Sequence, residues 1–313
     1  MLLFKCTRAF AQSVHNFHDV NGQTNWDLPI QNADGTWKPG KWKPEVKGEL
    51  RMHKSGVGYH LSTQDFLVKW LGDEIYTAES SDDCIESLDC VVARSARLTK
   101  KHYLAPEEWG EFAIEQAELA LELFKFFNYT WDVSYRLRKA INQSYVELSE
   151  CNYHSDFKGR NEIAKRTWID AGRVASLCEQ DSLSGFLTNS NTRGAMYAAK
   201  AVCLLEDLSY PDCPAHNNQN SGVVKKITAY LAETMRCIVH NPIIKQGQDF
   251  DRRRMRSIAK DFTEREHPHF TNLPDLAAYN MIVDQNNLLL ERLGILNNQQ
   301  LAKQKRSMVS VPT

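Results

Sequence analysis

Pro106-Glu-Glu-Trp-Gly-Glu-Phe-Ala-Ile-Glu-Gln-Ala-Glu-Leu-Ala-Leu-Glu-Leu-Phe124 is the stretch where the chain changes its period. Proline at a first-turn position with two glutamates behind it is a helix start, because its missing N–H costs nothing there and the carboxylates face the positive end of the helix dipole. Ile114, Ala117, Leu121 and Phe124, with Phe127 beyond, then recur every three or four residues. That spacing predicts one apolar helix face. Val133, Leu137, Ala140, Ile141, Tyr145 and Leu148 repeat it. Further helices are expected near 161–178 and near 193–208 (stopped by Pro211), over Val223 to Val239, and from Thr271-Asn272 to Gly294.

Upstream of Pro106 the pattern differs. Phe4, Val14, Val20, Trp26, Trp37, Trp42, Leu50, Tyr59 and Leu61 are divided by turn-forming clusters such as Asn32-Ala-Asp-Gly35 and Lys38-Pro-Gly-Lys41. Short aromatic and β-branched runs between such clusters predict strands with long loops. Phe66, Leu67 and Trp70 predict a short helix over Gln64 to Leu71, and Val91 to Leu98 a final strand. The expected class is therefore α+β: a small β-rich domain over residues 1–103, an α-helical bundle over 104–300 and a loose tail over 301–313.

The chain has 313 residues, 42% hydrophobic and 25% charged, with a formal charge of -1. That is ordinary globular composition, and the balance points to neither a nucleic-acid nor a membrane partner. No apolar run reaches bilayer-spanning length, and Met1 to Cys6 is too short and too soon charged for a secretory signal. Eight cysteines are spread from Cys6 to Cys237. In a chain of this size they read as reduced thiols, so the expected compartment is the cytoplasm.

Several clusters carry possible chemistry. Ser55-Gly-Val-Gly-Tyr-His-Leu-Ser-Thr63 joins a glycine turn to His60, Ser62 and Thr63. The structural reading is a turn followed by a strand. The alternative is a nucleotide site, since the segment resembles the Tyr-His and hydroxyl arrangement of an active-site strand in some NAD-dependent ADP-ribosyltransferases. Such a site also needs a ribose-orienting glutamate, for which Glu74, Glu79 and Glu86 are the candidates. The acidic stretch containing Asp73, Glu74, Glu79, Asp82, Asp83, Glu86 and Asp89 reads as a solvated loop, or as a docking surface for a basic partner. Arg252, Arg253 and Arg254 form the opposite patch, diluted by Asp249, Asp251, Asp261 and Glu264. Its complementarity to the acidic stretch suggests self-association. Cys213 with His216 and Cys237 with His240 give two Cys-x-x-His pairs, the ligand count of a tetrahedral zinc site. A histidine at a helix end also complements the dipole, so the metal reading stands beside a structural one. No cofactor motif appears. The aromatic series Trp109, Phe112, Phe124, Phe126, Phe127, Tyr129 and Trp131 predicts helix packing with a surplus for an interface.

Phe4-Lys-Cys-Thr7, Gly58-Tyr-His-Leu-Ser62 and the strand near Val91 resemble a small domain common in bacteriophage and prophage proteins. Ala117 to Phe124, Arg136 to Ile141 and Arg193 to Ala201 look like an alanine-rich helical module of immunity-type proteins. Together these cover about two-thirds of the chain; it departs by being alanine-poor and by a further segment after about residue 215. The combination is similar to phage anti-defence proteins of the Gabija-inhibitor type. The resemblance implies a non-enzymatic protein that binds and occludes a host defence nuclease complex as a homo-oligomer, without contacting nucleic acid or membrane itself.

Overall fold

The computed structural model describes residues 2–8, 12–13, 26–52, 57–124, 127, 135–142, 146, 173, 176, 190–208, 219–240, 260, 262–263, 269–270 and 272–296. Chain contacts divide into two units, Met1–Leu104 and Ala105–Thr313. The fold is α+β, with strands in the first unit and helices in the second. No helix among the described residues is long and apolar enough to cross a membrane.

The first unit contains β1 (Leu3–Arg8), β2 (Gln12–Ser13), β3 (Ile30–Gln31), β4 (Trp37–Lys38), β5 (Tyr59–Thr63), β6 (Glu74–Ser80), β7 (Cys84–Glu86), β8 (Cys90–Ala93) and β9 (Ala96–His102). The main sheet is antiparallel with order β7-β8-β5-β1-β6-β9, β2 adding to β1, while β3 and β4 form a separate ribbon. Its connectivity forces curvature. β8 and β9 lie four places apart in this order, a separation of about 19 Å in a flat sheet at ~4.8 Å per strand. Only Arg94 and Ser95 join them, and three Cα steps reach at most about 11 Å. The sheet must roll up, and its core confirms that: Leu61 and Val91 from one half cluster with Leu3, Tyr76, Ala78, Ala96 and Leu98 from the other, closed by Trp26.

Directly opposed residues share a face. Leu3 opposite Thr63 and Ala78, Lys5 opposite Tyr76, and Leu61 opposite Val91 therefore point into the roll. Phe4, Cys6, His60, Ser62 and Val92 lie on the outer face. Gln64–Trp70, expected as a short helix, forms a 3-10 helix with Phe66, Leu67 and Val68 buried, packed on β1 and β5. Residues 40–46 strap the free edge of β9, with Gly40, Lys43 and Val46 N–H groups donating to the carbonyls of Leu98, Ala96 and Arg94. Covering an edge in this way removes a template for strand addition. Gly58 has φ 132°, and a Cβ there would stand 2.3 Å from Val92 Cγ1, so the turn into β5 demands glycine.

Two sequence expectations need correction. Val91 to Leu98 is not one strand: Arg94-Ser95 turns the chain because the Arg94 guanidinium donates to the carbonyls of Val46 and Gly48 and pairs with Asp83. The acidic stretch is not a loop either, since it contains β6 and β7.

The second unit contains α1 (Pro106–Phe124), α2 (Ser190–Cys203), α3 (Gln219–His240) and α4 (Leu273–Arg292). Residues 135–142 are also helical. Of the expected helices, those from Pro106, over Val223 to Val239 and after Asn272 match α1, α3 and α4; 161–178, apart from 173 and 176, lies outside the described residues, as does the tail 301–313. Helix α3 packs on α1, α2 and α4. Asn272 caps α4 by accepting from the Asp275 N–H at 2.8 Å. Trp109, Phe112, Phe124 and Phe127 are buried, as a packing role requires. Helix α4 also buries Asn280, Gln285, Asn286 and Asn287. Gln116 Nε2 on α1 donates to Thr228 Oγ1 on α3 at 2.7 Å and to Gln285 Oε1 on α4 at 3.2 Å, tying three helices at one buried point.

Candidate functional site

Strand β5 places His60 and Ser62 on the outer face and Thr63 on the inner one, because side chains alternate along a strand. The three groups therefore do not converge. Ser62 and Thr63 are buried, and their hydroxyls donate to backbone carbonyls, Ser62 to Thr63 at 3.0 Å and Thr63 to Leu88 at 3.2 Å. The His60 carbonyl accepts from Lys5 Nζ at 3.0 Å. Gly56 lies outside the described residues.

The glutamates considered as partners lie elsewhere. Glu74 is on the inner face, opposite Thr7. Its carboxylate takes Lys101 Nζ at 2.6 Å, Tyr76 Oη at 3.1 Å and Thr7 Oγ1 at 3.3 Å. Burial and the Glu74 carboxylate raise the Tyr76 phenol well above its ordinary value, so it stays a donor. Glu79 is ion-paired with Arg97 at 2.6 Å. Glu86 is exposed on β7.

The acidic stretch is largely neutralised within its own unit. Glu74 meets Lys101, Glu79 meets Arg97, Asp83 meets Arg94, and Asp89 meets Lys69 at 3.4 Å. Asp73, Asp82 and Glu86 remain exposed. The basic triplet Arg252, Arg253 and Arg254 lies outside the described residues, as do Cys213 and His216. Of the other Cys-x-x-His pair, His240 is exposed at the end of α3. Cys237 is drawn into the contact with α2, where a Cβ on Gly194 would come within 3.0 Å of its own Cβ. Burial pushes its thiol up to about 11, the nearby Arg193 only partly opposing it. Among the described residues no three metal-ligating side chains come together.

The segment 26–50, which contains the strap, exposes apolar side chains at Leu28, Ile30 (62% exposed) and Trp42 (44% exposed). Arg97 lies 4.8 Å from the Trp42 ring centroid. Lys38, Lys41 and Lys47 are exposed in the same segment. Lys43, by contrast, pairs with Asp27 at 3.3 Å.

Sequence reasoning missed Lys5. It lies inside the roll at 7% exposure, 5.6 Å from the ring centroid of Trp26, itself 6% exposed. Strict alternation would have exposed a charged residue at an inward position, but Phe4 and Cys6 on the other face are buried too, and a strand buried on both faces has no readable phase.

No protein-family model, curated protein or solved structure matches this chain.

Proposed function

We propose that this chain is a phage-encoded, non-enzymatic interaction protein. In this reading it acts in the cytoplasm of the host, where several copies bind and occlude an anti-phage defence nuclease complex of the Gabija type and block its access to DNA. The choice of target rests on the resemblance of the sequence. The observation that carries the binding reading is the division of labour in the first unit. The hydroxyls of Ser62 and Thr63 are spent on backbone carbonyls, and Glu74 lies on the inner face, away from His60 and Ser62 on the outer one. Leu28, Ile30 and Trp42 are exposed along the segment 26–50, which also exposes Lys38, Lys41 and Lys47. Exposed aromatic and aliphatic side chains with charged residues in the same segment are the composition of a docking surface.

The test is co-purification of the tagged chain with the reconstituted nuclease complex, followed by a DNA-cleavage assay. Stable association and loss of cleavage are expected, both weakened by Ile30→Asp with Trp42→Ala. A monomer that leaves cleavage untouched sinks the proposal. So does transfer of label from NAD that depends on His60, which would establish the transferase reading instead.

A further inference from the structure

Among the described residues, the cation inside the rolled sheet, Lys5, has no counter-ion. Lys5 Nζ can donate three hydrogen bonds, and its one acceptor among the described residues is the neutral carbonyl of His60. The carboxylate of Glu74, on the same inner face, is engaged by Lys101, Tyr76 and Thr7. Beside Lys5 stands Trp26, whose indole Nε1–H is fully buried with no acceptor among the described residues. The ammonium lies over the Trp26 ring face, 5.6 Å from its centroid, which offsets part of its cost; two adjacent buried residues still carry donors, one of them charged, that are costly unless an acceptor meets them. Desolvation lowers the Lys5 amine to about 8, which still leaves it mostly protonated at pH 7.

We infer that the Lys5–Trp26 corner is a binding site for an anionic oxygen, of the carboxylate or phosphate class. The ammonium supplies the charge and the indole a directional neutral donor. Strand β1 fixes the first, while the second belongs to the segment that continues into the strap. The site is distinct from the docking surface proposed above and does not depend on it.

The experiment uses the full chain with sodium acetate, sodium phosphate and neutral acetamide as probes, at ionic strength matched with sodium chloride. Thermal unfolding midpoints and the titration of the Lys5 ammonium, followed by nitrogen-15 NMR, are the readouts. Acetate or phosphate is expected to raise the midpoint saturably by at least about 2 °C, and to move the Lys5 titration to higher pH. Whichever probe does so at lower concentration identifies the carboxylate or the phosphate source. Lys5→Met is expected to abolish the response and Trp26→Phe to weaken it at least threefold in apparent affinity. The proposal is overturned if the Lys5 titration of the wild-type chain is unmoved by both anions, or if acetamide matches them. A response that persists in Lys5→Met also overturns it. The wild-type titration decides the matter even if neither variant folds.

Discussion

Replacing Lys5 by methionine should make the protein more stable at neutral pH, although it deletes a hydrogen bond. The amine is lowered from 10.5 to about 8, first by burial, against a small opposing influence of Cys6. At ~1.36 kcal/mol per pKa unit this corresponds to a penalty of roughly 3 kcal/mol for carrying the ammonium inside. Losing the bond to the His60 carbonyl gives back about 1 kcal/mol. Methionine has a similar unbranched stem, so little packing is lost, and the net gain is about 2 kcal/mol at pH 7. The pH dependence fixes the sign. Below pH 8 folded and unfolded chains both hold the proton, so the penalty is full and the slope zero. Between pH 8 and 10.5 the unfolded chain binds more protons, so the wild type gains stability as pH rises through that window. Above it both states are neutral and the penalty is gone. Urea unfolding followed by tryptophan fluorescence, in chloride alone, measures this directly; Trp26, Trp37, Trp42 and Trp70 report on the first unit. The midpoint of Lys5→Met should lie about 1 M above wild type at pH 7 for a slope near 2 kcal/mol/M, and the difference should shrink towards pH 10.5. A variant less stable than wild type at pH 7, with no convergence at high pH, would refute the reasoning.

Three further outcomes follow from the helical unit. Gly194→Ala places a Cβ 2.2 Å from Phe127 Cζ, so overpacking should outweigh the helix-propensity gain and cost about 1–2 kcal/mol; urea unfolding followed by circular dichroism checks this, and Phe127→Leu in the same chain should recover most of it. Gln116→Leu strands the polar atoms of Thr228 and Gln285 and should cost about 1–3 kcal/mol, whereas the combined Gln116→Leu, Thr228→Val, Gln285→Leu variant should return to within about 1 kcal/mol of wild type. A single variant as stable as the triple would show that the buried contact is not formed. With its thiol near 11, Cys237 should alkylate at pH 8 more than about a hundredfold slower than a free cysteine, read by mass spectrometry of timed samples; labelling at the free rate contradicts its burial against α2.

The helical half was legible because its helices bury one side and leave a period of 3.6 in the sequence: Val223, Val224, Ile227, Leu231, Met235 and Ile238 all fall in the core. Helix α4 shows where that signal fades, since Asn280, Gln285 and Asn286 are buried among its apolar residues. In the first unit, the existence of strands could be read but their order could not. The break in Val91–Leu98 carries no glycine or proline; it is made by a long-range bond from Arg94 to a strap 46 residues and more upstream. The acidic stretch hid β6 and β7 because charge density reads as loop. The cations that neutralise Glu74 and Glu79 arrive from β9, a pairing that only the register reveals.

The same register shows how the distinctive Gly-Tyr-His-Leu-Ser-Thr segment is built into this fold. β5 is the strand through which the β7–β8 side of the roll joins β1. Its hydroxyls close backbone bonds at the seam with the Leu88 turn and the 3-10 helix, where mobility would open the core. A strand fixed on both edges and buried at its centre is a poor place for a reactive hydroxyl but a firm anchor for Lys5, whose ammonium reaches across to the His60 carbonyl. Rigidity at β5 and the donor capacity that Lys5 leaves unmet among the described residues therefore belong to one arrangement. Binding an oxyanion there would raise the Lys5 pKa and shift the stability window of the wild type upward, joining the ligand test to the pH test through a single proton.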